Sequence, residues 1–436
     1  MPWERVSAQH GTMSRQEPHR KLIDDRHGDA LSINLRHLRA AISVAAHGSI
    51  ARAAEELFRV SSAVTRSISE LEQALGLPLF ERRARGVVPN AYGESVLLRA
   101  RRIEQAFDQA SEQLMARGGV KGSHDLHSTF ASILNGRRLA ILASLAEKRS
   151  ITAVAREFGV TQPGISAALK DLETACGVPI FERSARGMVP TQAGEILIFH
   201  CRRVLSELRH IIPDLAAIEG RLQGSITVGA LPLGRTHILP RAIALLLREH
   251  PQLHVATIES PYEVLAASLR SGDIDFILGA LRNLSADSEI REEPLMLDRI
   301  SVIARAGHPL AGRRATFKDM REATWVLSRR GAPSRELFDR FFSDARQGPP
   351  HPSVETGDLA VLRGLLLESD MLTAISAHQL RYEIQAGSLV VIDFPLDRTM
   401  RQIGISLRQG ALPSPGARAL MDKVRDVVQD SADFRA

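Results

Sequence analysis

A stretch that recurs at a fixed spacing must fold twice in the same way, and this chain of 436 residues contains one. Ser49–Glu94 reads SIARAAEELFRVSSAVTRSISELEQALGLPLFERRARGVVPNAYGE, and Ser150–Glu195 reads SITAVAREFGVTQPGISAALKDLETACGVPIFERSARGMVPTQAGE. One offset of 101 residues, the distance from Glu81 to Glu182, aligns the two without a gap. About a third of the positions between Arg36 and Arg102 are identical to their counterparts.

Within each copy the apolar spacing predicts two short helices, a third helix and a hairpin. Leu35–Ala46 has apolar residues at helical spacing, and Ser49 can cap a short Ala-rich helix through Leu57. Ser61–Leu75 presents Val64, Ile68, Leu71 and Leu75 as one inward stripe, with Ala63, Arg66, Ser67 and Glu70 opposite. Gly76 and Pro78 end that helix. Leu79–Arg82 and Val87–Pro89 then flank the basic tip Arg83-Ala84-Arg85-Gly86 as a wing, and Asn90 can cap a helix reaching about Arg117. The second copy repeats this plan in Leu139–Ala146, Ser150–Phe158 and Thr161–Cys176, with a wing over Ile180–Pro190 and a long helix capped by Thr191. Two short helices joined by a tight turn, the second small and polar outside, meet the packing needs of a helix-turn-helix.

Charge follows the repeat. Arg36–Arg102 holds 11 basic and 6 acidic residues, Arg137–Arg203 holds 10 and 6, and residues 224–436 hold 26 of each. The positive excess therefore sits on the repeats, which suits a polyanion such as nucleic acid.

From Gly224 the pattern changes to strands alternating with helices, which predicts an α/β class with a parallel sheet. Strand candidates are Ser225–Ala230, Leu253–Glu259, Ile274–Gly279, Arg299–Ala304, Thr324–Ser328, Met371–Ile375, Val390–Phe394 and Ile403–Arg408. Helices are expected at Leu239–Glu249, Tyr262–Ser271, Arg335–Phe342, Leu359–Glu368 and Ala417–Val428. The resulting division is a disordered tail (1–33), a first winged unit (34–92), a linker helix (93–117), a flexible linker (118–136), a second winged unit (137–193), a second linker helix (194–221) and an α/β domain (224–430).

The chain resembles the LysR-type transcriptional regulators. The resemblance is carried by S-x-x-x-A/V-A-x-x-L/F, by TQPGIS in the second copy, by L-E-x-x-x-G-x-P-L/I-F-E-R, by the Arg-Gly wing and by T-x-A-G-E at the start of the second long helix, where the first has NAYGE. It departs from the family in having two winged helix-turn-helix units where one is usual. The resemblance implies an effector domain of two α/β lobes, like a periplasmic binding protein. It also implies double-stranded DNA as partner, a small-molecule effector, and association through the helix after each wing, either between chains as a homo-oligomer or within one chain as a pseudo-dimer of the repeats. The competing function is a ligand sensor whose winged units mediate assembly.

By the same resemblance the third helix of each unit enters the major groove. The matching positions are Ser61, Ser62, Thr65 and Arg66 in the first copy and Thr161, Gln162, Pro163 and Ser166 in the second, where Ala167 replaces the arginine. Gln and Arg can hold a base edge by two hydrogen bonds, whereas Ser and Thr are less selective. Arg82, Arg85, Arg183 and Arg186 are candidates for phosphate contact; solvated surface is the competing reading for all of these residues. For the effector the candidates are Leu231, Pro232, Gly234, Arg235 and Thr236 after the first strand, Ser260 and Tyr262 after the second, and Thr356 with Asp358. Arg329 or Arg330 could hold a carboxylate or phosphate, which would make the effector anionic, or could simply be solvated.

Other classes fit poorly. GALPLGRT at 229–236 imitates a phosphate loop but has Arg235 where that signature needs Lys. No G-x-S-x-G, H-E-x-x-H or CxxC pair is present, so no enzyme is expected, nor a cofactor or metal. His124 and His127 form an H-x-x-H in the linker without Cys partners. Cys176 and Cys201 are the only cysteines and read as small buried hydrophobes in a reducing cytoplasm. No apolar run approaches the roughly 18–20 residues of a membrane span, and the polar N-terminus does not read as a secretory signal.

Overall fold

The computed structural model describes residues 33–84, 86–116, 135–285 and 287–430. Residues 1–32 of the expected tail, most of the 118–136 linker, His124, His127 and Arg85 lie outside the described residues, while Ile33, expected in the tail, is buried in the first unit's core. The chain divides at Glu219/Gly220 into two compact units.

In the first unit, α1 (Leu35–His47), α2 (Ile50–Glu56), α3 (Ser61–Leu75), β1 (Phe80–Arg83), β2 (Gly86–Pro89) and α4 (Ala91–Ala116) are followed by their counterparts. These are α5 (Gly136–Lys148), α6 (Ile151–Phe158), α7 (Gln162–Cys176), β3 (Phe181–Ser184), β4 (Gly187–Pro190) and α8 (Gln192–Ile218). The expected inward stripe is buried in both: Val64, Ile68 and Leu71 in α3, and Ile165, Leu169, Leu172 and Cys176 in α7. Both repeats and both long helices share one hydrophobic core.

The repeated motif has a local cause. The Glu72 carboxylate accepts hydrogen bonds from the backbone N–H of Leu79 (2.7 Å) and of Phe80 (3.3 Å). Glu173 does the same for Ile180 (2.8 Å) and Phe181 (3.2 Å). The acid of L-E-x-x-x-G-x-P thus satisfies the turn that leads into the wing. Each hairpin is then tied down from its Gly corner: Val87 N–H donates to Gly48 O (2.9 Å) and Met188 N–H to Arg149 O (2.8 Å). A Cβ on Gly86 or Gly187 would collide with those same carbonyls, so glycine is required there.

The copies differ at the turn before the third helix. Gly159 takes the left-handed conformation in the second (φ 61°), and Thr161 caps α7 by accepting from Gly164 N–H. In the first, Phe58 is left-handed at φ 51°, and Val60 supplies no side-chain cap to α3.

In the second unit, β5 (Gly224–Ala230), β6 (Leu253–Ile258) and β7 (Phe276–Ala280) are parallel, as are β9 (Thr324–Leu327), β10 (Val354–Glu355) and β11 (Met371–Ser376). The expected all-parallel sheet is corrected by two strands that run antiparallel between these groups. They are β8 (Ile290–Arg305) and β13 (Met400–Arg408), and the sheet is mixed. The short β12 (Leu389–Val391) pairs with β8 and replaces the expected Val390–Phe394. Strand β8 has 16 residues, of which only the 299–304 end was expected. Its register against β13 shifts at Ile403/Gly404, where Leu295 is left over as a bulge beside Pro294. A Cβ on Gly404 would strike Glu293 O. One hydrophobic cluster gathers around β5, β7 and β13, and another around β9, β11 and the β8 end, giving two lobes. β8 carries the chain from the first lobe to the second.

Candidate nucleic-acid interface and effector cleft

At the first unit's surface the third helices present their N-terminal turns to solvent. Ser61, Ser62, Thr65 and Arg66 are exposed, as are Thr161, Gln162, Pro163 and Ser166. In the second copy the structure brings these onto one groove: Gln162, Pro163, Ser166, Arg183 and Arg149 line it together between α7 and the wing. Arg186 is exposed nearby in sequence but does not line this groove, and Arg82 is exposed on the first wing.

The side chains are not equally free to reach a ligand. Arg66 is tied to Glu70 one turn on (Nε–Oε1 2.6 Å), and His37 also approaches Glu70 (3.1 Å). Thr161 is occupied as a helix cap and Thr65 donates to Ser61 O (3.0 Å). Burial pushes both cysteine thiols up, Cys176 to about 12, so neither is a thiolate at neutral pH.

The two linker helices α4 and α8 lie against each other within the chain. Between them Arg99, 1% exposed, donates from Nη1 to Glu207 Oε2 (2.8 Å) and from Nε to Asp214 Oδ2 (2.6 Å). Arg102 Nε donates to Glu207 Oε1 (2.8 Å), and Arg203 Nη1 donates to Gln109 Oε1 (2.9 Å). Burial opposes ionisation of Glu207, yet the adjacent Arg99 and Arg102 charges hold its carboxyl below the ordinary pKa.

In the second unit a cleft of about 610 Å³ is lined by residues from both lobes. Of the expected residues it gathers Leu231, Pro232, Arg235, Ser260, Tyr262, Arg329, Thr356 and Asp358, and also Arg330. Gly234 and Thr236 are corrected: neither lines the cleft. A Cβ on Gly234 would meet Leu278 O at 3.0 Å, and the Thr236 hydroxyl donates to Leu233 O (3.0 Å), so both serve local packing. Asp358 is a helix cap, accepting from Ala360 N–H (2.7 Å) and Val361 N–H (3.2 Å).

Sequence reasoning missed Arg282 and Arg401, which also line the cleft. Arg401 is held by the buried Asp298 (2.9 Å). The Arg282 guanidinium lies 4.4 Å from the centroid of the Tyr262 ring. Its Nη1 and the Tyr262 hydroxyl are both buried and have no hydrogen-bond partner. Burial lowers the Arg282 pKa, and burial raises that of Tyr262. A lone Arg in the loop after β7 has no pattern in the sequence; only its stacking on Tyr262 picks it out.

The fold and these surfaces define a DNA-binding regulator with an effector domain, and the chain belongs to the LysR family. The model of the bacterial regulatory helix-turn-helix protein of that family matches twice, at residues 35–94 and 137–195, and the LysR substrate binding domain matches residues 219–429. The HTH-type transcriptional regulator GalR of Pseudomonas putida is 47% identical over 399 residues, covering 92% of this chain and 98% of the relative. The regulator GbpR of Azospirillum brasilense is 28% identical over 291 residues, covering 66% of this chain and 85% of its own. Full-length OxyR from Pseudomonas aeruginosa shares the fold at a TM-score of 0.51 and 23% identity, covering 69% of this chain and 96% of that structure. CbnR complexed with its target DNA does so at 0.50 and 19%, covering 67% and 99%. The protein is thus a transcription regulator with a DNA-binding helix-turn-helix region and a two-lobed effector-binding domain. Among the described residues no helix is long and apolar enough to cross a membrane, and none form a metal-holding cluster.

Proposed function

We propose that this regulator carries two non-equivalent DNA-reading heads per chain and responds to a small anionic effector in the cytoplasm. The observation that supports two heads is that both third helices are exposed beside intact wings, with Gln162, Pro163 and Ser166 sharing a groove with Arg183 in one and Arg66 standing out of the other. Gln162 reads a base edge; Arg66 does so after leaving Glu70. Arg82, Arg183 and Arg186 hold phosphates. The GalR alignment exceeds the GbpR alignment by 108 residues, close to one repeat offset. An extended alignment of this kind fits a relative built with the same doubled plan.

For the effector, the support is the pair of unpartnered buried donors on Arg282 and Tyr262, to which a carboxylate is the fitting complement. Arg235, Arg329 and Arg330 add positive charge around the same cleft. An effector that binds one lobe arrangement better than another shifts the population, and operator affinity follows by linkage.

Footprinting on the duplex upstream of the protein's own gene tests the heads. Gln162→Ala should relax selectivity at one base step by about 1–3 kcal/mol. Arg183→Ala should weaken binding evenly over sequences and reduce the salt slope by about one. Unchanged selectivity in both Gln162→Ala and Arg66→Ala would leave the heads as assembly modules.

A further inference from the structure

The contacts between α4 and α8 are antiparallel, since Arg99 meets Asp214, Arg102 meets Glu207 and Gln109 meets Arg203. Two equivalent repeats pairing in this way would make every contact twice. Under the 101-residue offset, however, Arg99 corresponds to His200, Glu207 to Ala106, and Asp214 to Gln113. The charges on one side of the pseudo-twofold, Arg99 and Arg102 against Glu207 and Asp214, are therefore replaced on the other by His200 and Arg203 against Ala106 and Gln113. His200 is fully buried, and neither of its ring nitrogens has a hydrogen-bond partner.

We propose that this asymmetry is a pairing code: it makes α4 pair with α8 rather than either helix with a second copy of itself, and the connection of the two helices in one chain makes the α8 of that chain the partner taken. Pairing α4 with another α4 would set Arg99 opposite Ala106 and Gln113. That buries two guanidiniums without carboxylates, at a cost of several kcal/mol. Pairing α8 with another α8 would retain only a Glu207–Arg203 contact. Asp214 would then face the single imidazole of His200 in place of the Arg99 guanidinium, which holds both of its carboxylate oxygens. It would also strip the cover from Ile103, Phe107, Ala110 and Leu114, all buried on α4. The heterotypic pair alone gives Arg99, Glu207 and Asp214 their opposite charges, and it closes a two-head module within one chain. A second α4 is thus a poor partner for α4 and a second α8 for α8, and between the two α4–α8 pairings the covalent connection favours the one within a chain through its effective concentration.

This deepens the two-head reading above, and its test reads the protein alone, so failure of DNA reading and failure of the code are told apart. Amide hydrogen exchange over residues 91–116 and 192–218 is measured in the full chain. Arg99→Glu with Arg102→Glu, and separately Glu207→Arg with Asp214→Arg, should each speed exchange in both helices at least about tenfold. The chain with all four substitutions should regain wild-type protection. Asp214→Asn, a milder change, should give a smaller loss confined to the same two helices. Co-expressing the two half-reversed chains should restore nothing. Wild-type exchange in the half-reversed chains, or no recovery in the fourfold variant, overturns the code. Recovery on co-expression overturns pairing within one chain, because it shows the helices exchanged between chains.

Discussion

The Glu72 carboxylate stands 2.7 Å from the backbone nitrogen of Leu79, a residue with no exposed surface, and so satisfies the turn between the third helix and the first wing. Removing it leaves that N–H without a partner. Glu72→Ala should therefore cost about 1–3 kcal/mol, and Glu72→Gln, which keeps an acceptor, clearly less. Chemical denaturation followed by circular dichroism measures both. Equal losses in the two variants would show that the charge matters and the acceptor does not.

The same relationship shows how far the sequence could be read. The third helices were legible to within a residue because their apolar stripe is local and Gly76 and Gly177 close them, both at left-handed φ. The wing was placed one residue early, since Leu79 reads as strand but spends its N–H on Glu72. Strand β8 was mostly invisible: Glu292, Glu293 and Pro294 argue against a strand, and only the pairing with β13 and the bulge at Leu295 hold them in one. Most of the expected cleft residues do line it, because loops after parallel strands gather at one end of a sheet. Arg282 was not foreseen because its significance is a tertiary stack. The charge asymmetry between the linker helices was present in the aligned repeats, but it acquires meaning only once Arg99 is seen opposite Glu207 and Asp214.

The first head lacks two features that the second possesses, and supplying them should stabilise it. Phe58 is 97% exposed and left-handed where its counterpart is Gly159. Phe58→Gly removes that strain, for a net gain of about 0.5–1 kcal/mol after the extra chain entropy of glycine. Val60→Thr restores the cap that Thr161 gives α7, for about 1 kcal/mol. Both should raise the midpoint of thermal unfolding; a fall for either would mean that its side chain makes a contact the exposed turn does not show.

Acid should weaken the first unit in two stages. His200 is neutral and buried, with its pKa pushed down to about 4 from 6.5 by burial and by Arg203. A depressed folded pKa means that the unfolded chain takes up the proton first, so stability is full above about 6.5 and falls as pH drops toward 4. The loss approaches about 3 kcal/mol. Glu207, held below its ordinary value by Arg99 and Arg102, adds a further loss at lower pH as its carboxylate is protonated. His200→Leu should flatten the first stage while leaving the second. Urea titrations from pH 7 down to about 3 distinguish the two, and an unchanged slope in His200→Leu above about pH 4.5 would assign the first stage elsewhere.

A binding site often carries its cost in the empty state, and Arg282 is where this chain should show it. Its guanidinium is partly desolvated over Tyr262, with Nη1 unpaired and its pKa lowered by burial. Arg282→Met keeps much of the packing on the ring and removes the unpaired charge. The effector-free second unit should consequently unfold at a higher temperature than in the wild type, by an amount worth about 1 kcal/mol. The same substitution should abolish the upward shift that a matching carboxylate gives the wild type in a thermal-shift panel of small mono- and dicarboxylates. Tyr262→Phe, which removes only a hydroxyl without a partner, should be near neutral when empty and should reduce that shift without eliminating it. An effector-free Arg282→Met protein less stable than the wild type would mean that the arginine is a structural strut of the cleft, and a carboxylate shift surviving in it would place the anion on Arg235, Arg329 or Arg330 instead.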